Sequence, residues 1–301
     1  MTRFDPSWTF FSIDVEVSAV CDLDCAMCPR DRITRPQDVM AASTFMTLAE
    51  QAAVLSSRLT LCGMGNPLLN PLWPEFVRTY HNYGGQIGLL VHAAGLTGKN
   101  CGQLVDSSPD FLEISFPSCT AAVFDRLCPG CSYDQCLRQV LNLADSRTRR
   151  FPLVMTSIET RFNPNEAADS KAFWKEHGLT SRTYRCHSRG QNLEAADLTV
   201  AVARPVETCG LFAIQAFINW EGKLLSCCHD LTNATVIGDV NEDRLEDLTQ
   251  RKAEILAGGM PYDICRNCDD SRAGLPVPDQ SYIAAGKPRS KFLRQWSRRS
   301  S

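Results

Sequence analysis

Fifteen cysteines stand in this 301-residue chain, and seven of them fall into two spaced sets. The first set is Cys21, Cys25 and Cys28, in "CDLDCAMCP", just after the strand-like run "WTFFSIDVEV". Three thiols at this spacing could be a disulfide framework, a zinc site, or three corners of an iron–sulfur cluster. The N-terminus "MTRFDPSW" lacks the basic-then-apolar form of a secretory signal, which leads us to expect a cytoplasmic protein with reduced thiols. The odd cysteine count also argues against disulfides. A structural zinc site needs a fourth ligand close by, and none stands near in the sequence. Three thiolates from one tight loop can hold three irons of a 4Fe–4S cube and leave the fourth iron open.

The second set is Cys209, Cys227, Cys265 and Cys268, with Gly222 five residues before Cys227 and the last two cysteines as a CxxC pair. Four thiolates suit either a closed tetrahedral zinc site or a fully ligated cluster. Cys228 is an alternative to Cys227. Eight other cysteines remain, at 62, 101, 119, 128, 131, 136, 186 and 228, and buried filling is the ordinary reading of a free cysteine. The run "CPGCSYDQC" is a weak candidate for a third cluster.

These thiols need elements to position them. From Trp8 to about Gly190 short apolar runs alternate with helical patterns. The strand runs are "FFSIDVEV", "RLTLCG", "QIGLLVHA", "FLEISF", "PLVMTSIE" and "RTYRC", with five helical stretches between them. Ser43 is the expected cap of the first helix, and Gly84 and Gly178 are expected helix stops. Such alternation means parallel βαβ units. Six of them predict an α/β fold, a partial (β/α)6 TIM barrel. After Ala203 the pattern changes. "FAIQAFINWEGKLLSCC" reads as a hairpin turning at Glu221-Gly222, then a short helical run, then "CRNC". The expected divisions are a barrel over residues 8–203, a small C-terminal hairpin-plus-helix iron–sulfur module over 204–275, and a basic tail over 276–301.

The composition, 44% hydrophobic and 22% charged, is that of a globular protein. No apolar run reaches the roughly 20 residues that span a bilayer, so no membrane partner is expected. Lys287 to Ser301 carries six basic and no acidic residues, leaving 25 basic and 34 acidic residues in the rest. An acidic body argues against nucleic acid as a partner and favours a cationic small substrate.

With its CxxxCxxC after the first strand, the sequence resembles the radical S-adenosylmethionine (radical SAM) enzymes. The resemblance implies a partial barrel and a 4Fe–4S cluster held by Cys21, Cys25 and Cys28. It implies that the open iron chelates S-adenosyl-L-methionine, which is cleaved to a 5′-deoxyadenosyl radical that abstracts hydrogen from a substrate carbon. The chemistry belongs to the cofactor, and the protein positions it. "GMGNP", containing Gly63, Gly65, Asn66 and Pro67, stands at the family's SAM-binding GGEP-like motif, with Asn66 replacing Glu. Ser115 in "EISFPS" and Ser157 on the fifth strand are the further SAM-contacting candidates. "HAAG" replaces the common TNG after the third strand, and Met27 stands where an aromatic is common. The second cysteine set resembles the Twitch/SPASM module, which implies a second, four-cysteine 4Fe–4S cluster serving electron transfer.

Within that family the chain is similar to the 2-deoxy-scyllo-inosamine dehydrogenases of aminoglycoside biosynthesis, through "SIDVEVSAVCDLDCAMCP", "HSRGQ" and the short module. This implies oxidation of an aminocyclitol alcohol to a ketone. It also implies that Arg189 approaches the substrate hydroxyl and that a flavodoxin- or ferredoxin-type protein supplies the electron. On the first strand, period two puts Ser12, Asp14, Glu16 and Ser18 on the lumen face. Buried carboxylates there need partners: an amino-bearing substrate, the SAM ammonium, or an internal arginine such as Arg161, Arg185 or Arg189. The expected catalytic group is Arg189, His187, Cys186 and Glu16, with His187 a candidate base. Redox-neutral epimerisation of a sugar carbon, with a cysteine returning hydrogen, is the second reading. Modification of a ribosomal peptide is third, because a strand pattern beginning at Trp8 leaves no leader-recognition segment. Asp22 and Asp24 are unexplained at this level.

Overall fold

The computed structural model describes residues 10–194, 197–200, 208–266 and 268–274. The expected starting residue Trp8, the boundary at 203/204, the module's end at 275 and the tail 276–301 lie outside the described residues. Six strands follow one another with helices between: β1 Ser12–Val15, β2 Arg58–Leu61, β3 Gln86–His92, β4 Phe111–Ser115, β5 Leu153–Glu159 and β6 Thr180–Arg185. They pair in sequence order, all parallel, from β1 to β6. This is the partial barrel the alternation predicts. The sheet stays open, with β6 as one edge.

The connecting helices are α1 Ala42–Val54, α2 Trp73–Asn82, α3 Gly98–Ser107, α4 Ala121–Leu127, α5 Tyr133–Ala144 and α6 Glu166–Glu176. They pack on one face of the sheet, whose contribution includes Leu59, Leu89, Leu112, Ile114 and Met155, all buried in one core. Phe45 of α1 stacks on Phe76 of α2 with ring centres 4.1 Å apart. Trp174 of α6 meets Phe116 edge-on at 5.1 Å. Gly84 and Gly178 end α2 and α6 with φ of 76° and 70°, as expected. Ser43 does not cap α1. The helix begins two residues earlier than that cap would place it, at Ala42, with Ala41 at the cap position and no side-chain cap bond. The short helix α4 has no counterpart in the sequence pattern.

The C-terminal module departs from expectation in one respect that matters. Its hairpin is not a separate sheet. β7 Gln215–Ile218 pairs in parallel with β1, and β8 Lys223–Leu225 and β9 Gly238–Asp239 continue antiparallel beyond it. The module therefore extends the barrel sheet from its β1 edge to nine strands among the described residues. "FAI", expected as strand, belongs to a short helix, α7 Gly210–Ile214, which Cys209 caps through its sulfur. Gly222 makes the tight turn between β7 and β8 with φ of 95°. Two further helices, α8 Leu245–Gly258 and α9 Asp263–Arg266, complete the module. Among the described residues no helix is long and apolar enough to cross a membrane.

One buried amide clamps the loops that leave β1 and β2. Asn70 is fully buried, and its Nδ2 donates to the carbonyls of Val17 at 2.9 Å and Met40 at 3.0 Å. Its Oδ1 accepts from the Leu72 N–H at 3.0 Å. Asn70→Ala strands the Met40 carbonyl and the Leu72 N–H, each costing on the order of 1–3 kcal/mol when unpaired, while Val17 O keeps the Met40 N–H at 2.9 Å. We expect the variant to lose about 2–4 kcal/mol of unfolding free energy, read as a lowered chemical-denaturation midpoint.

Candidate active site

Parallel α/β sheets carry their chemistry on the loops beyond the strand C-termini, and here a cavity of about 210 Å³ opens there. Each strand end contributes: Asp14 from β1, Cys62, Gly63 and Met64 after β2, Leu90 from β3, Ser115 from β4, and Thr156 and Ile158 from β5. Tyr184 to His187 and Arg189 close it from β6. Met27 enters from the first cysteine loop, and Cys228, Asp270, Ser271 and Arg272 enter from the module.

The cysteine loop and "GMGNP" are stitched together. Arg30 Nη1 donates to the carbonyls of Ala19 at 3.1 Å and Met64 at 3.0 Å. The Asn66 N–H donates to Val20 O at 2.8 Å, and Asn66 Nδ2 donates to Asp22 Oδ1 at 3.0 Å. Asp22 thus holds the neighbouring loop. A Cβ on Gly65 would lie 2.1 Å from the Ser18 carbonyl oxygen, so glycine is required for this close approach. Gly63 has φ of 140° and sits on the Glu16 side chain.

Glu16 does not line the cavity. It is fully buried beneath Gly63, where its carboxylate pairs with Arg35 at 2.7 Å and accepts from the Met64 N–H at 3.1 Å. Its partner is Arg35, not Arg161, Arg185 or Arg189, so it shapes the loop that faces the cavity. Asp14, two residues back, is the carboxylate that reaches the lumen. Burial pushes its carboxyl up to about 6, against the lowering effects of a hydrogen bond to Gln215 and the Arg272 and Arg58 cations.

The sequence-derived candidates divide accordingly. Gly63, Ser115, Cys186, His187 and Arg189 meet at the cavity. Gly65, Asn66 and Pro67 stand behind its wall in the loop. Ser157 faces away, its hydroxyl 2.8 Å from that of Thr183, while the alternation of the strand brings Thr156 and Ile158 inward. His187 is buried, and its Nδ1 accepts from the Arg189 N–H at 3.2 Å. Burial, aided by the Arg189 cation, holds its ring below the ordinary imidazole range. The neutral ring therefore carries its proton on Nε2, which faces Asp270 at 3.7 Å. Arg189, Gly190 and Gln191 all have positive φ, between 55° and 69°. This strained turn is held by Asp269 of the module, which accepts from Ser188 N at 2.7 Å and Ser188 Oγ at 2.8 Å. Asn192 Nδ2 bridges the carbonyls of Arg189 and His229 at 2.8 and 2.9 Å.

Asp270 and Arg272, next to the CxxC pair, were not singled out from sequence. Arg272 makes a two-pronged pair with Asp270, at 2.6 Å from Nη2 and 3.0 Å from Nε. Although burial opposes it, this guanidinium holds the carboxyl far below the usual range. The spacing "CRNCDDSR" carried no signal beyond its cysteines.

The donor sets fit iron–sulfur groups. Cys21, Cys25 and Cys28 are free and half-buried in one loop, and Arg30 lies close enough to favour the thiolate of all three. Burial nonetheless raises Cys21 and Cys28, the latter to about 11, so charge compensation by a cation is what this loop needs. Cys209, Cys227, Cys265 and Cys268 are free and raised by burial, and Cys227, Cys265 and Cys268 are raised further by neighbouring cysteines of the set, Cys209 among them. Four free thiols in one another's neighbourhood suit a four-ligand donor set. Cys228 turns the other way, into the cavity, where burial pushes it to about 11 despite the Arg272 and Arg189 cations.

Residues 209–269 match the SPASM family, an iron–sulfur cluster-binding domain. The whole chain is similar in fold to solved structures at low identity. BtrN, crystallised with AdoMet and 2-DOIA, aligns with a TM-score of 0.64 and 19% identity over 90% of this chain and 97% of its own. Streptococcus suis SuiB, crystallised with its precursor peptide SuiA, gives 0.64 and 13% over 89% of this chain and 76% of its own. The protein anSMEcpe, crystallised with AdoMet, gives 0.63 and 10% over 95% and 99%. Residues 209–269 thus match an iron–sulfur domain of the SPASM type, as the second cysteine set leads one to expect, on the fold that these proteins share.

The contact at Gly65 gives a test of the loop geometry. Gly65→Ala is expected to cost about 1–3 kcal/mol of stability through forced overpacking against backbone. Gly102→Ala on α3, where nothing lies within 4 Å of the new methyl group, is expected to be neutral or to stabilise by about 0.5–1 kcal/mol. Paired thermal-unfolding measurements distinguish the two.

Proposed function

We propose that this chain is a radical SAM enzyme that oxidises an alcohol of a small amino-bearing polyol, an aminocyclitol or aminoglycoside, to a ketone. One observation carries the reading: two thiol sets of different make-up flank one small cavity, three in the open loop beside Met27 and Gly63, four in the set one residue from Cys228. When bound, the two clusters and SAM supply one-electron cleavage of SAM, hydrogen-atom abstraction from carbon, and an acceptor for the remaining electron.

The chain's residues have the remaining tasks. Gly63, Met64 and Ser115 form the wall beside the open loop, where SAM would lie. Arg189, pinned by its strained turn, donates to the reacting hydroxyl oxygen, and Arg185 lies beside it at the cavity. Asp14 accepts the hydroxyl proton. A carboxylate with a pKa near 6 is a better base than an ordinary one and is still ionised at neutral pH. His187 orients the Arg189 backbone, because its acceptor nitrogen is already engaged. The substrate thus loses one hydrogen atom from carbon, one proton from oxygen and one electron. A flavodoxin- or ferredoxin-type donor would reduce the first cluster, and the cytoplasm is the proposed setting.

The similarity to BtrN, whose crystals contain 2-DOIA, supports the substrate class, and a cavity of about 210 Å³ suits a small molecule over the peptide bound by SuiB. Redox-neutral epimerisation is the second reading. It is favoured by three cavity-lining thiols, Cys62, Cys186 and Cys228, any of which could return a hydrogen atom.

Anaerobic reconstitution is expected to give about eight irons per chain; about four, or chiefly zinc, would refute the two-cluster reading. Oxidation predicts a product two mass units lighter, whereas epimerisation in deuterated water predicts one exchanged hydrogen and no mass loss. Asp14→Asn should lower turnover by about 10²–10⁴-fold while keeping its iron. In the parent enzyme the rate should rise with pH through about 6, as Asp14 deprotonates.

A further inference from the structure

Cys128 ends α4, is buried, and has no part in the chemistry above. Its sulfur lies 3.6 Å from the Cys25 sulfur and 3.3 Å from Nε2 of His92. The arrangement is built rather than incidental. The Ala26 N–H donates to the Leu127 carbonyl at 2.9 Å, which fastens the cysteine loop to the end of α4. The Cys128 N–H caps the helix on Phe124 O at 2.8 Å. His92 closes β3, and its ring lies against Phe124 at 6.1 Å between centres.

The direction of the two contacts follows from a third. His92 Nδ1 accepts from the Ala94 N–H at 3.1 Å. An imidazole whose Nδ1 accepts carries its proton on Nε2. That N–H therefore donates to the Cys128 sulfur. Cys128 keeps its own S–H to give, and the sulfur it faces is that of Cys25. The relay runs one way: His92 Nε2–H to Cys128 Sγ, and Cys128 S–H to Cys25 Sγ.

We propose that Cys128 is a positioning residue for the first cluster: its S–H bond to the Cys25 sulfur, oriented by His92, raises that cluster's reduction potential. This rests on the reading of Cys25 as a cluster ligand. Reduction adds one electron and no proton, so the reduced cluster carries more negative charge on its sulfurs. A donor aimed at one of those sulfurs stabilises the reduced form more than the oxidised one. The histidine at the end of β3, where a TNG sequence is common in the family, and the first cysteine of "CPGCSYDQC" then have one shared role.

The test is a redox titration of the reconstituted full-length chain followed by electron paramagnetic resonance, with the first cluster identified by its spectral change on adding SAM. Cys128→Ala should shift its midpoint to more negative potential, and Cys128→Ser, which keeps a donor, should lie between alanine and the parent. His92→Phe should shift it in the same direction, and the second cluster should not move. With full iron content, an unchanged midpoint in Cys128→Ala, or serine indistinguishable from alanine, overturns the inference. So does zinc bound to the parent and lost with Cys128→Ala, which would make Cys25, His92 and Cys128 a separate metal site. If Cys25→Ala retains as much iron as the parent, it is the ligand assignment beneath the inference that fails.

Discussion

The parallel pairing of β7 with β1 is the constraint on which the site depends. Its register sets Asp14 opposite Phe217 and Ser12 opposite Gln215, and the Glu16 N–H continues it by donating to Ile218 O at 2.8 Å. A barrel of six strands has an exposed edge at β1, a row of unpaired backbone groups that must be covered. Here the C-terminal module covers it. The consequence is geometric: the Glu221-Gly222 turn that leaves β7 emerges beside the loop that leaves β1 with three thiols, and β8 returns antiparallel, carrying Cys228 back to the cavity that Asp14 lines. Loops from the two also touch directly, since Thr34 N donates to Leu231 O at 3.2 Å and Ile33, Met64 and Leu231 form a small apolar cluster against Cys28.

The polar interior follows from the same closeness. A buried carboxylate is costly unless paired, and Glu16 meets that requirement with Arg35 and the Met64 N–H. The pair lies under "GMGNP", so its rigidity is passed to the loop above it. Asn66 and Asp22 add a second tie on the far side. Asp14 is different. It faces the cavity, and its distant cations do not offset its burial. Two acidic residues on one strand face, two positions apart, therefore differ in kind. One holds a loop in place, and the other stays available for chemistry.

The sequence made periodic and covalently spaced features legible. The six strands, the helix-stopping glycines and both cysteine sets required only local pattern. Features decided by distant neighbours were not legible. Period two correctly placed Glu16 on the polar side of β1, but not that Arg35, nineteen residues on, would draw it beneath Gly63. The same alternation along β5 has two phases, and only the pairing with β4 and β6 decides that Thr156 rather than Ser157 faces inward. The parallel partner of β1 comes from more than 200 residues away, which no local pattern encodes. Cys128 has spacing to Cys131 but none to Cys25, so its contact was invisible until α4 and the first loop were packed together.

The adjacent Cys227 and Cys228 bear on the choice between oxidation and epimerisation. The chain turns sharply after β8, so neighbouring side chains diverge: Cys227 joins the set of four, and Cys228 enters the cavity. The second iron–sulfur site is thereby separated from the substrate space by one residue. An alcohol oxidation must dispose of an electron after hydrogen abstraction, and an acceptor at that distance meets the need. Epimerisation returns the hydrogen and has no electron to dispose of. It needs a thiol at the cavity, which Cys228 also provides, and the thiyl radical left after that thiol gives its hydrogen atom needs one electron and one proton, which a four-thiol site one residue away could relay. Both reactions use both sides of the Cys227–Cys228 turn, and they differ in the direction of the electron: oxidation delivers one to the four-thiol site, and epimerisation withdraws one from it.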